Sequence, residues 1–71
     1  MKQQLLNFLG DKAENYYGSI VEDCFGVFVY GSGNFFSMPA LSLLIEFTQL
    51  HGYHCYVSTI RDEVRFRIYR S

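Results

Sequence analysis

Residues Val64-Arg65-Phe66-Arg67-Ile68-Tyr69-Arg70 alternate between apolar and mostly basic side chains with a period of two. Successive side chains on a strand point to opposite faces, so Val64, Phe66 and Ile68 share one face and Arg65, Arg67 and Tyr69 the other. The first face is expected to be buried. The second is expected to be open to solvent or a partner, with Arg67 a surface residue.

Two segments show helical spacing, each followed by glycine. In the first, Leu5, Leu6, Leu9, Ala13, Tyr16 and Tyr17 recur at intervals of three and four. Gly10 then falls on the solvent side of one helix, or it breaks the segment and Asp11 caps a second short helix. Gly18 is read as the residue that closes the helix in a left-handed conformation. The second segment begins at Ser37, a favourable N-cap, with Pro39 in the first turn, where its missing N–H costs nothing. Ala40, Leu41, Leu43, Leu44, Ile45, Phe47 and Leu50 leave only a narrow polar stripe of Ser42, Glu46 and Gln49, which predicts the central helix. Gly52 ends it.

Between the helices, Cys24 to Tyr30 is apolar throughout and reads as a strand buried on both faces. Gly31-Ser32-Gly33-Asn34 is read as a turn, after which Phe35-Phe36 either forms a short strand or leads directly into the helix. Tyr53 to Ile60 is rich in aromatic and β-branched residues, Arg61-Asp62-Glu63 turns the chain, and residues 64–70 return. A two-residue loop at Asp62-Glu63 would set Val57 and Thr59 opposite Ile68 and Phe66. A three-residue loop would put Tyr56 and Ile60 on the core face instead. The pattern predicts one α+β domain over residues 1–71, in the order α-β-(β)-α-β-β. Its small antiparallel or mixed sheet of three to four strands carries two helices packed on one face.

Composition sharpens this picture. The 71 residues include seven Phe and six Tyr, while charged residues make up only 18%. So short a chain has little interior, and this many rings should exceed it, leaving apolar surface for self-association or a partner. The formal net charge is −1, which argues against a general polyanion binder. The charge is unevenly spread, because four of the six basic residues lie after Ile60. With neither a leader pattern nor a long apolar run, a cytoplasmic protein with reduced Cys24 and Cys55 is expected, and no membrane contact.

Catalytic and cofactor chemistry finds little footing. Gly31-Ser32-Gly33 sits between a strand and a helix, yet it lacks the third glycine of a dinucleotide fingerprint and the Lys-Ser/Thr of a P-loop. His51, His54, Cys55 and Cys24 are metal-ligating types without Cys-x-x-Cys spacing. Adjacent strand residues such as His54 and Cys55 face opposite ways, and His51 is explained by its favourable place at a helix C-terminus. Cys24, in an apolar strand, is expected to be shielded and unreactive. No catalytic, cofactor-binding or metal residues are assigned.

The expectation is therefore a stand-alone protein-binding regulator, inhibitor or adaptor, acting as a homodimer through an aromatic and arginine surface of Tyr56, Arg65, Arg67 and Tyr69. One alternative is single-stranded nucleic-acid binding on the outer sheet face, with bases stacked on the tyrosines. Another is a thiol enzyme using Cys24 or Cys55.

Overall fold

Two local hairpins meet at the centre of the sheet. The computed structural model describes residues 1–32 and 37–70. The helices are α1 (Lys2–Leu9), α2 (Lys12–Tyr16) and α3 (Met38–His51). The strands are β1 (Ser19–Glu22), β2 (Gly26–Ser32), β3 (His54–Ile60) and β4 (Glu63–Tyr69). The sheet has four strands in the order β1-β2-β4-β3, and every neighbouring pair is antiparallel. This is the expected α+β architecture, with the first helical segment divided into α1 and α2 where Gly10 adopts a φ of 60°.

The helices cover one face of the sheet. From β2 that face receives Val27 and Val29, and from β4 Phe66 and Ile68. All four are fully buried against Leu5, Leu9, Tyr17, Ala40, Leu44 and Phe47. Such a core is built by the period-two and helical patterns acting together. Polar atoms inside it are satisfied. The Tyr17 hydroxyl donates to the Ala40 carbonyl at 2.6 Å, tying the end of α2 to the start of α3. Burial pushes the Tyr17 phenol up to about 12, with the neighbouring Tyr16 adding to the rise. Thr48 donates to the Leu44 carbonyl within α3.

Helix α3 has the ends its sequence predicts. Ser37 Oγ accepts from the Ala40 N–H, Pro39 lies in the first turn, and Gly52 closes the helix at φ 68° and ψ 26°. At this end of the helix, rings interlock. Phe47 meets Phe8 edge-on at 5.6 Å, and His51 lies 4.5 Å from Phe47 and stacks on Tyr53 at 5.5 Å. His51 thus caps an aromatic cluster at the helix end.

Four local expectations are corrected. Ser19–Glu22 is a strand that the pattern did not reveal, and it forms the first hairpin with β2. β2 starts at Gly26, two residues later than read, and includes Gly31 and Ser32, which were assigned to a turn. Cys24 lies in the connection between β1 and β2 and is exposed, so it is not a shielded strand residue. Gly18 does not close α2; Tyr17 does, in an extended conformation. What requires glycine at 18 is proximity, since a Cβ there would stand 2.8 Å from the Tyr30 carbonyl oxygen. The question of Phe35-Phe36 lies outside the described residues.

The second hairpin turns at Arg61-Asp62, a two-residue turn one residue earlier than Asp62-Glu63, with Arg61 at φ 56°. Val57 pairs with Phe66 and Thr59 with Val64. Val57 and Thr59 are on the helix-side face, as a two-residue loop requires, but two positions along from the partners first assigned to them.

Candidate functional site: the outer face of the sheet

The register carries the opposite set of side chains to the face without helices. One row across the strands is Val21, Phe28, Arg67 and Tyr56. The next is Ser19, Tyr30, Arg65 and Ser58, and Tyr69 with His54 lies beyond Arg67 and Tyr56. All four sequence-predicted residues, Tyr56, Arg65, Arg67 and Tyr69, therefore share one face. Phe28 and Tyr30 join them there. They were missed because an unbroken apolar run was read as buried on both sides. The alternation of β-branched Val27 and Val29 with aromatic Phe28 and Tyr30 was the available signal.

Rings and guanidinium groups on this face lie against each other. Phe28 stacks on Tyr30 at 5.6 Å, His54 stacks on Tyr69 at 5.5 Å, and Tyr56 meets Tyr69 edge-on at 6.0 Å. The Arg67 guanidinium sits 4.1 Å from the Phe28 ring centre and 6.0 Å from that of Phe25. Arg65 lies 5.6 Å from the Tyr30 ring centre. Such contacts hold a cation by its attraction to the ring face.

Arg67 is not the surface residue that its strand position suggested. Only 6% of it is exposed. The connection from β1 to β2 folds over it, because Asp23 accepts from Arg67 Nη1 at 2.8 Å and from Nη2 at 3.1 Å. Asp23 Oδ1 also accepts from the Phe25 and Gly26 N–H groups at 2.9 Å each, a local loop closure typical of aspartate. These contacts, led by the Arg67 hydrogen bonds, hold the Asp23 carboxyl down at about 2. Phe25 is left 67% exposed at the rim.

Arg65 is paired too. Its Nε donates to Glu63 Oε1 at 2.7 Å, on the same strand and face. Each arginine of the face thus has its own carboxylate, and the paired charges cancel.

The metal-type residues do not converge. His54 lies on the outer face and Cys55 on the helix side, while His51 is stacked in the ring cluster at the end of α3. Among the described residues, no group of three or more His, Cys, Asp or Glu side chains is placed to hold an ion. Among them too, no helix is long and apolar enough to cross a membrane. In comparisons with family models, curated proteins and solved structures, nothing matches this chain.

Proposed function

We propose that this chain is a non-enzymatic, stand-alone binding protein, a regulator, inhibitor or adaptor, and that the outer face of its sheet contacts another protein. The supporting observation is the pairing of Arg65 with Glu63 and of Arg67 with Asp23 on a face of aromatic rings. Tyrosine, phenylalanine and arginine are enriched in protein interfaces, where the aromatic rings supply large contact areas at a small cost in side-chain entropy. The exposed rings of Phe25 and Tyr56 are the natural anchors, with the tyrosine hydroxyls available for hydrogen bonds. A homodimer belongs to the same reading. A cytoplasmic location is proposed on the same footing as in the sequence, from the two unpaired thiols.

Single-stranded nucleic acid is the second reading, favoured by the grouping of Tyr56, Tyr69 and His54 as an open stacking platform. Against it, a phosphate would have to displace Asp23 from Arg67 and Glu63 from Arg65. Binding measurements against salt separate the two. The proposal expects capture of a protein from the native host that is lost in a Tyr56→Ala/Tyr69→Ala variant and depends only moderately on salt. Each phosphate bound on a single strand would add a slope of about −0.7 in log affinity against log salt. Micromolar binding to an oligonucleotide, lost in Arg65→Ala, would overturn the proposal.

A further inference from the structure

The two edges of the sheet are built differently. β1 is four residues long, and its Glu22 carboxylate accepts from the Lys2 backbone N–H and pairs with the N-terminal ammonium. Those contacts hold Glu22 below the usual carboxylate range. β3 is seven residues long, His-Cys-Tyr-Val-Ser-Thr-Ile, with no proline and no charged residue. Among the described residues it pairs on one side only, with β4. Natural sheets protect a free edge with charge, proline, a bulge or brevity, and β3 has none of these.

The closing pair of the β3–β4 hairpin fixes which backbone groups are free. Ile60 and Glu63 flank the two-residue turn, so they form the hydrogen-bonded closing pair. Along an antiparallel ladder the direction alternates, which sends the N–H and C=O groups of Ile60, Ser58, Tyr56 and His54 towards β4. Those of Cys55, Val57 and Thr59 point outward. The side chains show a matching discontinuity. In the row Val29, Phe66, Val57 on the helix side, the first two are fully buried and Val57 is 48% exposed. The core stops abruptly at this edge.

We infer that β3 pairs antiparallel with β3 of a second copy of this chain, about a two-fold axis at Val57. In that register Val57 meets its own counterpart, and Cys55 meets Thr59 of the other copy. These are the residues whose backbone groups point outward, so every pair can exchange two hydrogen bonds. On the outer face Tyr56 would meet Ser58, and His54 would meet Ile60. No strand residue brings a charge against a like charge, because the strand carries none. Val57 against Val57 continues the buried row into the other copy. The axis stands perpendicular to the sheet, so both sets of helices stay on one side and the two outer faces become continuous. With one unprotected edge among the described residues of each chain, the pairing closes at two copies. The contact is small beside a standard interface, which places dissociation in the micromolar range.

The inference rests on the homodimer of the proposed function and assigns it to the β3 edge, leaving Phe25, Phe28, Tyr30 and Tyr69 of the ring-lined face outside the seam. Sedimentation equilibrium at tens to hundreds of micromolar should show two chains for the wild type. Val57→Lys, which sets two cations together at the axis, and Val57→Pro, tolerated on an edge strand because the N–H it removes points away from β4, should both be monomeric with nearly unchanged circular dichroism. Tyr69→Ala should remain dimeric. Hydrogen exchange tests the same register without any variant. Raising the concentration should slow exchange at Cys55, Val57 and Thr59 and leave Tyr56 and Ser58 unchanged.

A wild type that stays monomeric would overturn the inference, as would a dimer that survives both Val57 variants. Growth beyond two chains would point to pairing of β3 with β1 and would overturn it too. A monomer that still captures a protein through its outer face fails the edge pairing alone. A dimer whose outer face captures nothing fails only the proposed function.

Discussion

Arg67 and Asp23, 44 residues apart, are joined by two parallel N–H···O bonds of 2.8 and 3.1 Å, fastening the β1–β2 connection onto β4. The guanidinium also lies over the Phe28 ring, 4.1 Å from its centre, so charge, hydrogen bonds and packing act through one side chain.

Removing that side chain should be felt in stability. Arg67→Ala is expected to cost roughly 1–2 kcal/mol, from the lost cation–π contact and the lost packing of its stem. Arg67→Lys should recover less than half, because an ammonium cannot grip both carboxylate oxygens side by side. Urea denaturation of the three proteins measures this. A shift within about 0.5 kcal/mol for Arg67→Ala would be the behaviour of an ordinary surface residue and would count against the clamp.

The same pair predicts a response to acid. The Asp23 carboxyl is held below its usual 3.8, at about 2. A carboxylate with a depressed folded-state value stabilises the fold above its unfolded value, and that contribution is lost as the pH falls through the folded value. Between roughly pH 4 and pH 2 the melting temperature should fall, and Asp23→Asn should flatten that part of the curve while lowering stability at neutral pH. Parallel curves for the two proteins would mean that other carboxylates govern the acid response.

Two positions test the core and the sheet. Phe47 is fully buried under three neighbouring rings, and Phe47→Ala should cost about 3–5 kcal/mol, enough to unfold a chain of this size. At Gly26 a Cβ would collide with the Ile68 carbonyl oxygen and stand 2.9 Å from the Tyr69 Cα. Gly26→Ala should therefore disrupt the β2–β4 ladder, visible as a lost or broadened thermal transition. A well-folded Gly26→Ala protein would contradict the close approach of these strands.

Thiol labelling distinguishes the two cysteines. Cys24 is exposed in the β1–β2 connection, whereas Cys55 is half-buried on the helix side. One thiol should label rapidly under native conditions and the second only slowly, and Cys24→Ser should abolish the fast phase. Equal rates, or a fast phase that survives Cys24→Ser, would contradict this placement.

Periodicity revealed what depends on neighbours in the chain. Ser37, Pro39 and Gly52 marked both ends of α3, and the alternation from Val64 to Tyr69 showed which side of β4 is buried. The grouping of Tyr56 with Arg65, Arg67 and Tyr69 is set by the β3–β4 register, which the sequence left open between two loops because the turn lacks an Asn-Gly or Asp-Gly signal. β1 escaped because four residues are too few for an alternation to stand out. Arg67 was misjudged for a different reason. Its burial is produced by Asp23 and Phe25, distant residues whose arrival no local pattern announces. The same distance hid the exposure of Cys24, whose apolar neighbours resembled a continuous strand.

The central position of the β2–β4 ladder bears on how quickly the sheet can assemble. Each outer hairpin closes between neighbouring residues, but the ladder from Ser32↔Glu63 to Gly26↔Tyr69 forms only after the chain has looped through α3 and β3. Pairings of high sequence separation lose loop entropy before their contacts compensate, so this step is expected to limit the folding rate. The Asp23–Arg67 clamp sits at the far end of that ladder, where the sequence separation is greatest. If it fastens after the rate-limiting step, its loss will appear as faster unfolding with the folding rate nearly unchanged.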